Sequence, residues 1–197
     1  MVAQQQAGWP EITQYPWQSR RDYLLLVAAV AASDSELHPD ELALLRRWME
    51  QFRLAPKSRE AVLAVANHQA VDLERVQKRL ARTDLKYSVM LDMMGMAMAD
   101  GVLMDEEILL LHEVAERLEI DPIDFNILIE LVHSAHQAAQ MRNPEPLYEH
   151  NIESAFDLLC KRSVRLFPHT LMCVSNENYD RQLKERWERF RAQHRRG

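Results

Sequence analysis

The chain has 197 residues, 47% apolar and 27% charged, with 24 Lys plus Arg against 30 Asp plus Glu, four Gly and two Cys. This is the composition of a globular chain with a real core rather than a disordered one. Four glycines fall well below the usual share of about 7%, and neither a GxGxxG nor a GxxxxGK[ST] string occurs, so glycine-rich phosphate loops are excluded and the composition points to an all-helical protein.

Residues 1–18 hold Gly8, Pro10, Pro16, Trp9, Tyr15 and Trp17 and read as an irregular arm that docks on the body. The N-terminal MVAQQQAGWPEITQ has neither a basic region nor an apolar stretch of the secretory kind, and two cysteines make no disulfide framework. The expected location is therefore the cytoplasm. Leu24–Ala32 is the longest apolar run, about half of the roughly 20 residues a bilayer span needs, so no span is expected.

Apolar periodicity predicts helices over about 19–33, 39–53, 56–68, 71–82, 84–99, 104–118, 121–140, 145–166 and 176–194. Pro39, Pro56, Pro122 and Pro144 stand where helices should begin, because proline in a first turn sacrifices no hydrogen bond. No convincing strand alternation is present.

The chain repeats itself at an offset of 66 residues. AASDSELHPDELALLRRWMEQFRLAP (31–56) lies over AMADGVLMDEEILLLHEVAERLEIDP (97–122), pairing Ala31 with Ala97, Asp34 with Asp100, Glu41 with Glu107 and Pro56 with Pro122. Each unit is a helix ending in small residues, an acidic turn, an amphipathic helix and a proline-started third helix. Two such units are expected to pack about a pseudo-two-fold axis into one bundle over 19–140, leaving 141–197 as a helical extension.

In both units an Asp at the end of one helix precedes, by seven residues, a Glu in the first turn of the next. Glu36, Asp40, Asp105 and Glu106 add oxygens, and such a set suits a hard cation such as Ca²⁺ or Mg²⁺. It is not an EF-hand, since the twelfth positions are Leu45 and Leu111. Acidic residues at helix N-termini are also ordinary dipole and capping chemistry. Capping leaves unexplained why the same spacing recurs.

These two segments resemble the signature of the TerB-like superfamily, which takes in the tellurite-resistance TerB proteins and the N-terminal domain of the DnaJ-like co-chaperone DjlA. The second fits the pattern through Ala97, Ala99, Asp100, Gly101, Leu103 and Glu107; the first carries Ser33 and Ser35 where Ala and Gly are usual. The resemblance implies an all-α, TerB-like bundle of about seven helices, a non-enzymatic role in stress or assembly complexes, and a divalent cation at Asp34, Glu41, Asp100 and Glu107. No catalytic motif is present, and protein partners are the expectation. A metal-dependent enzyme using the turn carboxylates is the alternative, as is a nucleic-acid-associated subunit using the C-terminal helix.

Three further groups were candidates. Glu130, His133 and His136 form half of a di-iron pattern without its mate and read as surface residues. Met90, Met93, Met94, Met96, Met98 and Met104 crowd a fifteen-residue segment, read either as a central helix buried all round or as a soft binding groove. Cys160, His169 and Cys173 lack zinc-site spacing and read as reduced thiols. Finally, Arg181–Gly197 carries +5 and leaves −11 on residues 1–180. Its stripe of Tyr179, Leu183, Trp187 and Phe190 is expected to dock on an acidic body, with a peripheral membrane contact as the other use.

Overall fold

A computed structural model of the chain describes residues 12–32, 39–98, 105–166 and 177–194. Among them lie one 3-10 turn (Ile12–Gln14) and nine helices, with no strand: α1 Trp17–Ala31, α2 Pro39–Gln51, α3 Pro56–Ala66, α4 Leu73–Leu80, α5 Lys86–Ala97, α6 Asp105–Arg117, α7 Pro122–Gln140, α8 Pro146–Lys161 and α9 Glu177–His194. Each answers a predicted helix, and eight of them agree within two residues at both ends. The all-α expectation holds. α1 begins at Trp17, two residues before the predicted start, so the arm is shorter than expected. Its described end docks: Ile12 is buried and the Tyr15 hydroxyl donates to Asp84 Oδ1 at 2.7 Å.

The exception is α8, which stops five residues short of the predicted end. Ser163 has φ 58°, and the N–H of Val164 reaches back to the carbonyl of Leu159 at 2.9 Å. The same closure ends α2, α3 and α6. Arg53, His68 and Glu119 have φ 49°, 61° and 55°, and the N–H groups of Leu54, Gln69 and Ile120 reach Met49, Ala64 and Ala115 at 2.9–3.1 Å. These are Schellman ends, normally supplied by glycine because a Cβ is disfavoured at positive φ. Here none of the four positions is glycine. The burial of Leu54, Ile120 and Val164 just beyond the reversal helps to hold three of them. Composition alone therefore understates how many tight reversals the chain makes.

α1 lies at the centre, packed on α2, α3, α4 and α5, while α5 also meets α6 and α7. Both central helices are buried on all sides, Tyr23–Ala28 in α1 and Val89–Met94 in α5, which is why neither shows a one-sided apolar stripe. The five described methionines of that segment, Met90, Met93, Met94, Met96 and Met98, are all core. Met104 lies outside the described residues. α2 and α6 start and stop 66 residues apart, as do their Schellman ends and the prolines opening α3 and α7.

α7 and α8 form an antiparallel hairpin, and α9 lies along α8. Trp187 is fully buried against Phe156, ring centroids 5.3 Å apart, and its indole N–H donates to Leu166 O at 3.2 Å. Arg186 pairs with Glu149, and the Tyr179 hydroxyl donates to Glu149 at 3.2 Å. The stripe on the last helix is thus used on its own chain. Arg162 bonds Asp121 and Asp124 of the α7 N-terminus, and Arg165 reaches Asp84 at 3.0 Å. These ion pairs staple the extension to the acidic body.

Because all four left-handed positions are exposed, glycine there removes a steric penalty and no packing. Arg53→Gly and Ser163→Gly are each expected to raise unfolding stability by about 0.5–1 kcal/mol, read from urea midpoints. A lowered midpoint in both would contradict the Schellman assignment.

Candidate functional site

The two acidic turns leave the C-termini of α1 and α5, so the relation between those helices decides whether the turns can meet. Two side-chain bonds define it. Tyr15 bonds Asp84 just before the helices, and Tyr23 in α1 donates to Asp92 Oδ2 in α5 at 2.5 Å. Each pair is separated by 69 residues, and the second lies eight residues further along both helices. Helices joined in this way run parallel. Their C-termini, Ala31 and Ala97, therefore emerge at the same end of the bundle.

Asp92 is buried, as is Tyr23. Burial dominates its chemistry: removal from water pushes the carboxyl up to about 8, and the hydrogen bond from Tyr23 and the charge of Lys184 on α9 offset this only in part. Burial also pushes the Tyr23 hydroxyl up, reinforced by the neighbouring carboxyl. Residue by residue, α1 is pinned at a second point. Asp22 is 1% exposed and receives two bonds from Arg79 of α4, Nε to Oδ2 at 2.5 Å and Nη2 to Oδ1 at 2.8 Å. A bidentate guanidinium is the partner that makes a buried carboxylate tolerable.

Of the four candidate cation ligands, Asp34 and Asp100 lie outside the described residues. Glu41 is half-buried in the first turn of α2 and Glu107 is buried in the first turn of α6, and both take part in polar or electrostatic contacts. Among the described residues no three His, Cys, Asp or Glu gather in a group that could hold a metal ion.

The Glu130–His133–His136 series is divided. Glu130 and His133 are on the surface, with Glu130 accepting from Ser134 and from Asn151 at 2.7 Å, but His136 is buried. The reading of all three as surface residues is corrected at His136, whose rotation about the helix turns it inward. Cys160 is a half-buried thiol held protonated up to about 11, chiefly by burial. His169 and Cys173 lie outside the described residues.

Asp22, Tyr23 and Asp92 were missed as key residues. Their signal was present: Asp22 stands at the head of the LLLVAAVAA run and Asp92 inside VMLDMMGM. A carboxyl within an all-round apolar helix must find a partner.

These features define an all-α helical module whose two central helices, α1 and α5, run parallel. A family model described as Tellurite resistance protein TerB matches residues 20–129, more than half of the chain, and the chain belongs to that family. No curated protein and no solved structure matches. The matched span takes in most of α1, all of α2 to α6 and part of α7.

The buried carboxyl makes a pH prediction. With its folded value raised above the unfolded one near 4, Asp92 costs nothing at low pH and progressively destabilises the fold as pH rises toward 8. Asp92→Asn mimics the protonated acid, so its stability relative to wild type is expected to grow between pH 5 and 8, by up to about 1.4 kcal/mol per pH unit. A difference that stays flat across that range would contradict the assignment.

Proposed function

We propose that this chain is a non-enzymatic module of tellurite-resistance type, working in the cytoplasm by binding partner proteins. The paired acidic turns hold a divalent cation, Ca²⁺ or Mg²⁺, through Asp34, Glu41, Asp100 and Glu107. The observation that carries this reading is the parallel course of α1 and α5, which brings Ala32 and Met98, the last described residues before the two acidic segments, to the same end of the bundle. Carboxylates from two sources at one end are the donor set that a hard cation uses.

Such a cation offsets the surplus of negative charge between residues 98 and 130, where ten acidic residues face one arginine. An acidic end whose charge depends on a bound ion can recognise a partner in one state and release it in the other. Family membership supports the non-enzymatic part of the reading. No helix among the described residues is long and apolar enough to cross a membrane. The intramolecular docking of Leu183 and Trp187 speaks against the last helix serving as a nucleic-acid or membrane anchor.

Calorimetric titration of the wild-type chain with Ca²⁺ and Mg²⁺ is expected to show saturable heat for at least one of them. Asp34→Ala combined with Asp100→Ala is expected to abolish it while leaving the helical circular dichroism unchanged. Null traces for both proteins would remove the cation from the account.

A further inference from the structure

An open pocket of about 480 Å³ lies between α1, α3, the loop after α3, and α4. Its origin is local. Ala61 and Ala64 stand one turn apart on α3 and are too small to fill the space toward α1 and α4, and the Schellman reversal at His68 folds Gln69–Val71 over one side. The wall is apolar, formed by Leu25, Ala61, Ala64, Val65 and Val76.

The rim is cationic in a chain whose net charge is −6. Arg21, Arg75 and Arg79 line it, against one carboxylate, Asp72. Asp72 is already engaged as the N-cap of α4, accepting from the N–H of Arg75 at 3.0 Å. Arg79 is committed to Asp22 by its two bonds. Arg21 is less well matched: its Nη2 lies 3.4 Å from Asp22 Oδ1, its guanidinium sits 5.2 Å over the Trp17 ring, and its Nε is shielded from solvent with no hydrogen-bond partner among the described residues. The side chain of Arg75 is exposed at the mouth.

An apolar wall of this size beneath a rim of three arginines, of which only Arg79 is held by a bidentate carboxylate, fits one class of ligand. We infer that the pocket binds a small amphipathic anion, a carboxylate or phosphate head carrying a short apolar body. The head pairs with Arg21 and Arg75, planar donors suited to oxyanions, and the body lies along Leu25, Ala64 and Val76. Arg21 lies ten residues before the end of α1, about 15 Å along the helix axis, so the pocket is separate from the acidic turns and does not depend on the cation reading.

Octanoate and octyl phosphate serve as probes, followed by nitrogen–proton correlation spectra of the full chain. Both are expected to cause saturable shifts at Ala61, Ala64 and Val71. Acetate and inorganic phosphate, which lack the body, and 1-octanol, which lacks the charge, are expected to give none. Arg75→Gln, on an exposed position, is expected to weaken binding of the probes about tenfold. Ala64→Leu, filling the pocket, is expected to abolish it with thermal unfolding retained as a check on the fold. Equal binding of octanol and octanoate, equal affinity in Arg75→Gln and wild type, or no saturable shift with either probe would overturn the inference. If only one of the two probes binds, the head group is thereby identified.

Discussion

The contact between α1 and α5 is the constraint on which the rest of the bundle hangs, and at its middle a tyrosine hydroxyl meets a buried carboxyl. Two helices that are apolar on every side could slide or rotate against one another with little change in buried area. A hydrogen bond between Tyr23 and Asp92 removes that freedom, because neither group can be left unpaired in the core without a cost of about 1–3 kcal/mol. The bond sets both direction and height. Parallel helices of similar length then bring their C-termini, Ala31 and Ala97, to one end of the bundle.

Charge is organised around the same core. The chain's −6 is not spread evenly, and at five carboxylates an arginine from later in the chain meets them: Arg79 at Asp22, Arg162 at Asp121 and Asp124, Arg165 at Asp84, Arg186 at Glu149. The first of these locks α4 to α1 within the family-matched span. The other three involve the C-terminal extension, so the segment beyond the family core is fastened by the residues that distinguish it in charge. The charge of Lys184 on α9 also favours the ionised form of the buried carboxyl that aligns the central helices.

Much of this was legible in the sequence. The helices were, because prolines at Pro39, Pro56 and Pro122 mark first turns and apolar periodicity marks lengths. The family was legible from ASDSELHPDE and AMADGVLMDE, short strings made specific by recurring in register. Four things were not. Helix ends at Arg53, His68, Glu119 and Ser163 use residues that do not advertise positive φ, so the premature stop of α8 left no trace. The inward turn of His136 depends on which face of α7 meets its neighbours, which no single helix reveals. The parallel course of α1 and α5 rests on Tyr23 finding Asp92, 69 residues away, and periodicity carries no information about partners at that distance. The arginine-rimmed pocket was hidden for the same reason, since Arg21 and Arg75 belong to separate helices.

The central proposal is that the two acidic segments following α1 and α5 share one cation. Paramagnetic broadening by substoichiometric Mn²⁺, observed in nitrogen–proton spectra, tests it most directly. If one cation is shared between the turns, the amide signals of Ala31 and Ala32 at the end of α1 and of Ala97 and Met98 at the end of α5 will broaden together, while those of Tyr15 and Asp84 at the opposite end stay sharp. Broadening confined to one helix end, or scattered over the acidic surface without preference, would contradict the account.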